Sequence, residues 1–86
     1  MSNFQKLAQK FLCEQDAIST SDVRRLCYGF GYAEHKSPGS HLAFRKKGNP
    51  PIIVTTVKGR YIKRYNVKKI VNILNLEEYF ENSGRG

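Results

Sequence analysis

The apolar residues of this chain change period twice. Phe4, Leu7, Ala8, Phe11 and Leu12 recur at i, i+3, i+4, i+7 and i+8, the spacing of an amphipathic helix whose stripe must be buried against something. The pattern ends near Glu14. A second helical segment opens at Ser19-Thr20-Ser21-Asp22, a capping-box pattern in which the Ser19 hydroxyl and the Asp22 carboxylate serve exposed backbone N–H groups. Val23, Leu26 and Cys27 form its inner face, and Gly29 closes it. The period then falls to two. Residues 32–36 read as a short strand and Ser37-Pro38-Gly39 as a turn. Residues 41–46 read as a second strand, with Leu42 and Phe44 on one face and His41, Ala43 and Arg45 on the other. Residues 52–57, after a turn at Lys47-Gly48-Asn49-Pro50, read as a third. Which of Ile52 and Ile53 faces inward stays open. Residues 58–65 show no period and read as a loop or an irregular strand extension. Helical spacing returns with Asn66 as cap, Val67, Ile70, Val71 and Leu74 as the buried stripe, and Lys68 and Lys69 outward in the first turn. Asn75 and Glu78 then cap a brief terminal helix containing Leu76, Tyr79 and Phe80.

This order predicts an α+β fold: a small three-stranded antiparallel sheet with helices on one face, preceded by an extra N-terminal helix. A chain of 86 residues has room for one core, so a single domain is expected over residues 1–82, with residues 83–86 as a disordered tail. The other sheet face stays open. His41, Ala43 and Arg45 line it, and the small Ala43 leaves space for a ligand.

Charge narrows the partner. Lysine and arginine outnumber aspartate and glutamate 15 to 7, and ten of the cations fall between Lys36 and Lys69, where there is no Asp or Glu at all. Phe44, Tyr61 and Tyr65 are interleaved with them, a combination suited to polyanions with stackable bases. A membrane surface is disfavoured, because no Lys/Arg-rich helix with an opposed aromatic face is present. No apolar stretch approaches the ~20 residues that cross a bilayer. Lys6, Lys10 and Glu14 interrupt the segment where a signal peptide would be apolar, so a cytoplasmic location is expected. Cys13 and Cys27 lack a C-x-x-C spacing and read as buried, reduced core residues. The basic segment has no carboxylate cluster for a metal, so neither metal nor small-molecule cofactor is expected.

The stretch "GFGYAEHKSPGSHLAFRK", with Gly29-Phe30 ending a helix and Gly39-Ser40-His41 opening a strand, resembles the HicA (YcfA-like) toxins of bacterial toxin–antitoxin pairs. The similarity continues through "IIVTT", the basic linker and "YNVKKIVNIL", and covers residues 19–80; residues 1–18 lie outside the family pattern and read as a cap on the core or a partner contact. The resemblance implies a fold similar to double-stranded-RNA-binding domains (dsRBD-like, α-β-β-β-α). It further implies a metal-independent endoribonuclease that cleaves mRNA until a HicB-type antitoxin covers it. The family's functional histidine falls on His41. A second histidine, preceded by proline, often follows the third strand in the family; here Thr55-Thr56-Val57-Lys58 carries neither. For Lys68 and Lys69 the resemblance implies a phosphate clamp, with plain solvent exposure as the alternative.

RNA cleavage without metal uses the ribose 2′-hydroxyl as nucleophile, so one group must take its proton, another must protonate the leaving 5′-oxygen, and cations must stabilise the phosphorane. Imidazole serves either proton role near neutral pH, which makes His41 the candidate catalytic residue. Arg45, on the same strand face, is suited to holding the phosphate bidentately, with Lys46 and Lys47 on flanking phosphates. Lys63, Arg64, Lys68 and Lys69 are further candidate phosphate binders. His35, or a lysine such as Lys58 or Lys63, is the candidate second proton-transfer group. Tyr61 and Tyr65 either stack on RNA or pack the linker against the sheet. Two other functions use the same features: a non-catalytic RNA-binding module of dsRBD-like fold, and a protein-interaction domain that meets an acidic partner.

Overall fold

A computed structural model describes residues 3–13 and 16–83, and side-chain burial through residue 81. Four helices and five strands follow in the order α1 (Asn3–Leu12), β1 (Ala17–Ser19), α2 (Thr20–Gly29), β2 (Ala33–His35), β3 (His41–Arg45), β4 (Ile52–Val57), β5 (Tyr61–Lys63), α3 (Arg64–Leu74) and α4 (Leu76–Ser83). The fold is α+β, as the periods predict, but the sheet has five antiparallel strands rather than three, in the order β1-β5-β4-β3-β2. Glu14, the expected end of the first helix, and residues 84–86 of the expected tail lie outside the described residues. Ser83, assigned to that tail, closes α4.

The alternation along each strand sorts side chains between a packed and an open face. Leu42, Phe44, Ile52, Val54, Ile62 and Ile18 are buried against the helices, together with Phe11 of α1, Leu26 of α2 and Ile70 of α3. Ile52 is therefore the inward residue of its pair, while Ile53 is 43% exposed. The N-terminal helix contributes directly to this core, since Ala8 and Phe11 are fully buried.

The region that shows no period, residues 58–65, contains the two departures from the expected topology. Lys58 and Gly59 both adopt positive φ (53° and 68°), and the Arg60 N–H donates to the Val57 carbonyl at 3.0 Å, the geometry of a type I′ hairpin turn. The chain thus doubles back as β5, and β1 adds to its far edge with Ile18 opposite Ile62. The following helix starts at Arg64, with Lys63 at its N-cap and no capping side chain. Asn66 is consequently not a cap but a buried residue inside the helix.

Its position there has a reason in the sheet. β5 pairs only with Thr56 and Val57 of β4, whereas β3 runs beside Ile52 to Thr55. The Ile53 and Thr55 carbonyls face away from β3, toward a place β5 does not reach. Asn66 Nδ2 donates to the Thr55 carbonyl at 3.0 Å and Lys69 Nζ to the Ile53 carbonyl at 3.0 Å. Side chains of α3 thereby complete the hydrogen bonding that the short strand leaves undone.

The caps of the other helices follow the sequence more closely. Ser19 caps α2, its hydroxyl accepting from the Asp22 N–H at 3.2 Å. The Asp22 carboxylate does not close the box; it pairs with Lys10 of α1 at 2.7 Å and with Arg25 at 3.7 Å. Asn75 ends α3 in the left-handed conformation (φ 51°), and its side-chain amide donates to the Glu78 carboxylate.

Candidate functional site

β2, the β2–β3 turn, the β4–β5 turn and the start of α2 meet at one end of the sheet. His41 opens β3 there. Just before it, Gly39 adopts φ +73°, and the Ser40 carbonyl accepts from both the Thr56 N–H at 2.6 Å and the Thr56 hydroxyl at 3.1 Å. This double bond to β4 fixes where His41 starts. Because Ser40 and Thr56 form a hydrogen-bonded pair, the next pair, His41 and Thr55, is the closely spaced non-bonded kind. Thr55 is thus the nearest cross-strand neighbour of His41, a proximity that no sequence spacing displays.

His35 lies directly opposite Ala43, and His41 is two residues from Ala43 on the same face. The two histidines are therefore diagonal neighbours, roughly 7–8 Å apart. Both are exposed. Ala43 itself is only 8% exposed, with His35 opposite it on one side and Ile53 on the other, so it offers no vacancy for a ligand. The space lies instead at the strand ends. A groove of about 370 Å³ is lined there by His35 and His41 together with Lys36, Gly39, Thr56, Gly59 and the Arg24–Glu34 pair.

Glu34 points to the other side of β2 from the histidines and is held by Arg24 Nε at 2.9 Å and by the Tyr28 hydroxyl at 2.8 Å. The bond from Arg24, opposed by partial burial and aided by Tyr28, keeps its carboxyl below the usual carboxylate range. It stays ionised and paired, which unsuits it as a proton shuttle at neutral pH. It is also the one carboxylate on a described strand, so the open face carries none. That face presents His35, His41, Arg45 and Lys63. Arg45 and Lys63 make no hydrogen bond or ion pair among the described residues.

The remaining candidates are dispersed. Arg45 sits four residues from His41, roughly 13 Å along the strand, too far to share one phosphate with it. Lys46 donates to the Phe30 carbonyl at 2.7 Å and lies 5.8 Å from the Tyr32 ring centroid; it caps the end of α2 rather than offering a free cation. Lys47 is exposed in the β3–β4 turn. Arg64 lies 3.8 Å from Asp16. Lys68 and Lys69 occupy the fifth and sixth positions of α3, beyond its first turn, and Lys69 is committed to Ile53. The two lysines therefore stand one turn into α3 and not at its N-terminus, where they were expected. Tyr61 is half-buried and Tyr65 is 59% exposed.

A larger groove of about 520 Å³ lies between α1 and α2, lined by Lys6, Lys10, Asp22 and Arg25 among others. Its carboxylate, Asp22, is paired with Lys10 and Arg25, and no histidine lines it. Cys27 is buried, which with the nearby Glu34 charge pushes its thiol up to about 12; Cys13, expected in the core, is exposed. Among the described residues no three His, Cys, Asp or Glu side chains gather into a metal-binding group, and no helix is long and apolar enough to cross a membrane. No family model, curated protein or solved structure matches the chain.

Proposed function

We propose that the protein is a metal-independent endoribonuclease of the HicA toxin type, with His41 moving a proton at the scissile phosphate. The observation that carries this reading is an exposed histidine at the mouth of a groove, on a sheet face that bears cations and no carboxylate. The sequence resemblance and the ten-cation segment support it independently. The reaction is a transphosphorylation: the 2′-oxygen attacks phosphorus as its proton leaves, the P–O5′ bond breaks, and the 5′-oxygen gains a proton. RNA lies over the open face in this scheme, with Arg45 and Lys63 on phosphates flanking the scissile one. In this reading α2, β2 to β4 and α3 correspond to a dsRBD-like core, with β1, β5 and α1 as additions to it. A HicB-type antitoxin, acidic where it meets the toxin, silences the enzyme by covering this face.

The test is cleavage of unstructured RNA by purified protein in the presence of EDTA. The wild type leaves 2′,3′-cyclic phosphate ends, and His41→Ala lowers the rate by roughly 10²–10⁴ while its thermal unfolding stays unchanged. Equal cleavage by the variant removes His41 from the mechanism. Salt-dependent RNA binding without cleavage by either protein would identify a binding module instead.

A further inference from the structure

We propose that His35 is the second proton-transfer group, so that His35 and His41 form a two-imidazole pair bracketing one phosphodiester. The proposal rests on the endoribonuclease reading and names the group it leaves unassigned. Strand register carries it. Ala43 pairs with His35 across β2 and β3 and lies two residues from His41 on the same strand, which makes the histidines diagonal neighbours on one face, roughly 7–8 Å apart. At that backbone spacing, two imidazoles on one face are placed to reach a single phosphate from either side. Both are exposed and both line the same groove. A bulky residue at 43 would stand between them; alanine does not.

The lysines considered for the role are less well placed. Lys58 sits on the outer turn of the β4–β5 hairpin. Lys63 lies on β5, two strands away from His41 across β4. The other charged groups close to the pair are cations: Arg45, which is also diagonal to His35 across the sheet, and Lys36, just past the end of β2. Glu34 and Arg24 line the groove as a closed pair. With Glu34 held by Arg24 and the Tyr28 hydroxyl, neither imidazole has an unpaired carboxylate beside it. In the step itself, one neutral ring accepts the 2′-hydroxyl proton while the other, protonated, gives its proton to the departing 5′-oxygen. The P–O2′ bond forms, the P–O5′ bond breaks, and the pair ends with its protonation states exchanged.

Two measurements test the pair. The first is kcat against pH on unstructured RNA. The wild type gives a bell; His35→Ala loses roughly 10²–10⁴ in kcat, with KM little changed, and keeps only one limb. Loss of the acidic limb marks His35 as the base and loss of the alkaline limb marks it as the acid. Full activity in the variant, or a weaker bell with both limbs intact, overturns the proposal, the second result being that of a merely structural residue. The other measurement needs no activity: inorganic phosphate is titrated into the wild-type protein while the ring resonances of both histidines are followed by NMR. One phosphate between the rings shifts both with a single Kd, and His35→Ala weakens the binding sensed at His41. A shift confined to His41 overturns the pair. If both rings respond but no RNA is cut, the two histidines share a phosphate site, and the endoribonuclease reading falls together with their proton-transfer roles.

Discussion

Gly29 carries more of the tertiary structure than its place at a helix end suggests. A β-carbon built there would overlap the ring of Phe4 from α1, and any retreat of that ring disturbs its packing on Phe30 and Tyr79, at centroid distances of 5.7 and 6.2 Å. Gly29→Ala is therefore expected to cost about 1–3 kcal/mol, the usual range for overpacking, despite the better helix propensity of alanine. A denaturant melt of the variant checks it; neutral or increased stability would mean that the aromatic cluster yields. Sequence spacing identified Phe4 as apolar and Gly29 as a terminator, but not that they meet, since nothing in either pattern encodes an approach between helices. For the same reason Ala43 was legible as an outward residue yet not as a covered one: its shielding comes from partners on two other strands.

Among the elements, the hairpin of β4 and β5 was the hardest to read. Tyr61-Ile62-Lys63 is too short to display a period, and it is a strand because Thr56, Val57 and β1 supply partners, a property of register rather than of composition. Because β5 occupies residues that show no period, α3 starts at Arg64, two residues before the Asn66 that the pattern marks as its cap, and Lys68 and Lys69 stand beyond the first turn. Asn66 shows what the true arrangement requires. It is 1% exposed, its amide nitrogen serves the Thr55 carbonyl at 3.0 Å, and its Oδ1 has no partner. Asn66→Ala leaves that carbonyl unsatisfied and is expected to destabilise by about 1–3 kcal/mol. Asn66→Asp should be worse, since it replaces the donor with a second acceptor. Thermal melts of the two variants, ranked against wild type, check the order. His41, by contrast, was legible because alternation over five residues fixes a face without reference to any partner.

For the molecule as a whole, α1 is part of the core and not an appendage to it. Leu7, Ala8 and Phe11 are buried beside Val23, Leu26 and Ile70, and Lys10 ties the helix to Asp22 of α2. Phe11→Ala is expected to cost about 3–5 kcal/mol, a large share of the stability of any domain this size. Removal of residues 1–13 should abolish cooperative unfolding, read by circular dichroism; a truncated protein that still melts sharply would return α1 to the status of an accessory. The sequence distinguished a buried stripe here but not its destination, and the charge count gave the cationic character of the chain without separating cations that serve the fold, such as Lys46 and Lys69, from those left to a ligand. The pairing of β1 with β5 has a consequence for how the chain assembles. The strands β2 to β5 follow one another through short turns, whereas Ile18 must find Ile62 across about half of the chain, and contacts between distant parts of a chain form late because the loop must close first. The edge strand thus arrives after the hairpins exist, bringing α1 with it, and until it does the apolar inner side of the sheet lacks the helix that completes its cover.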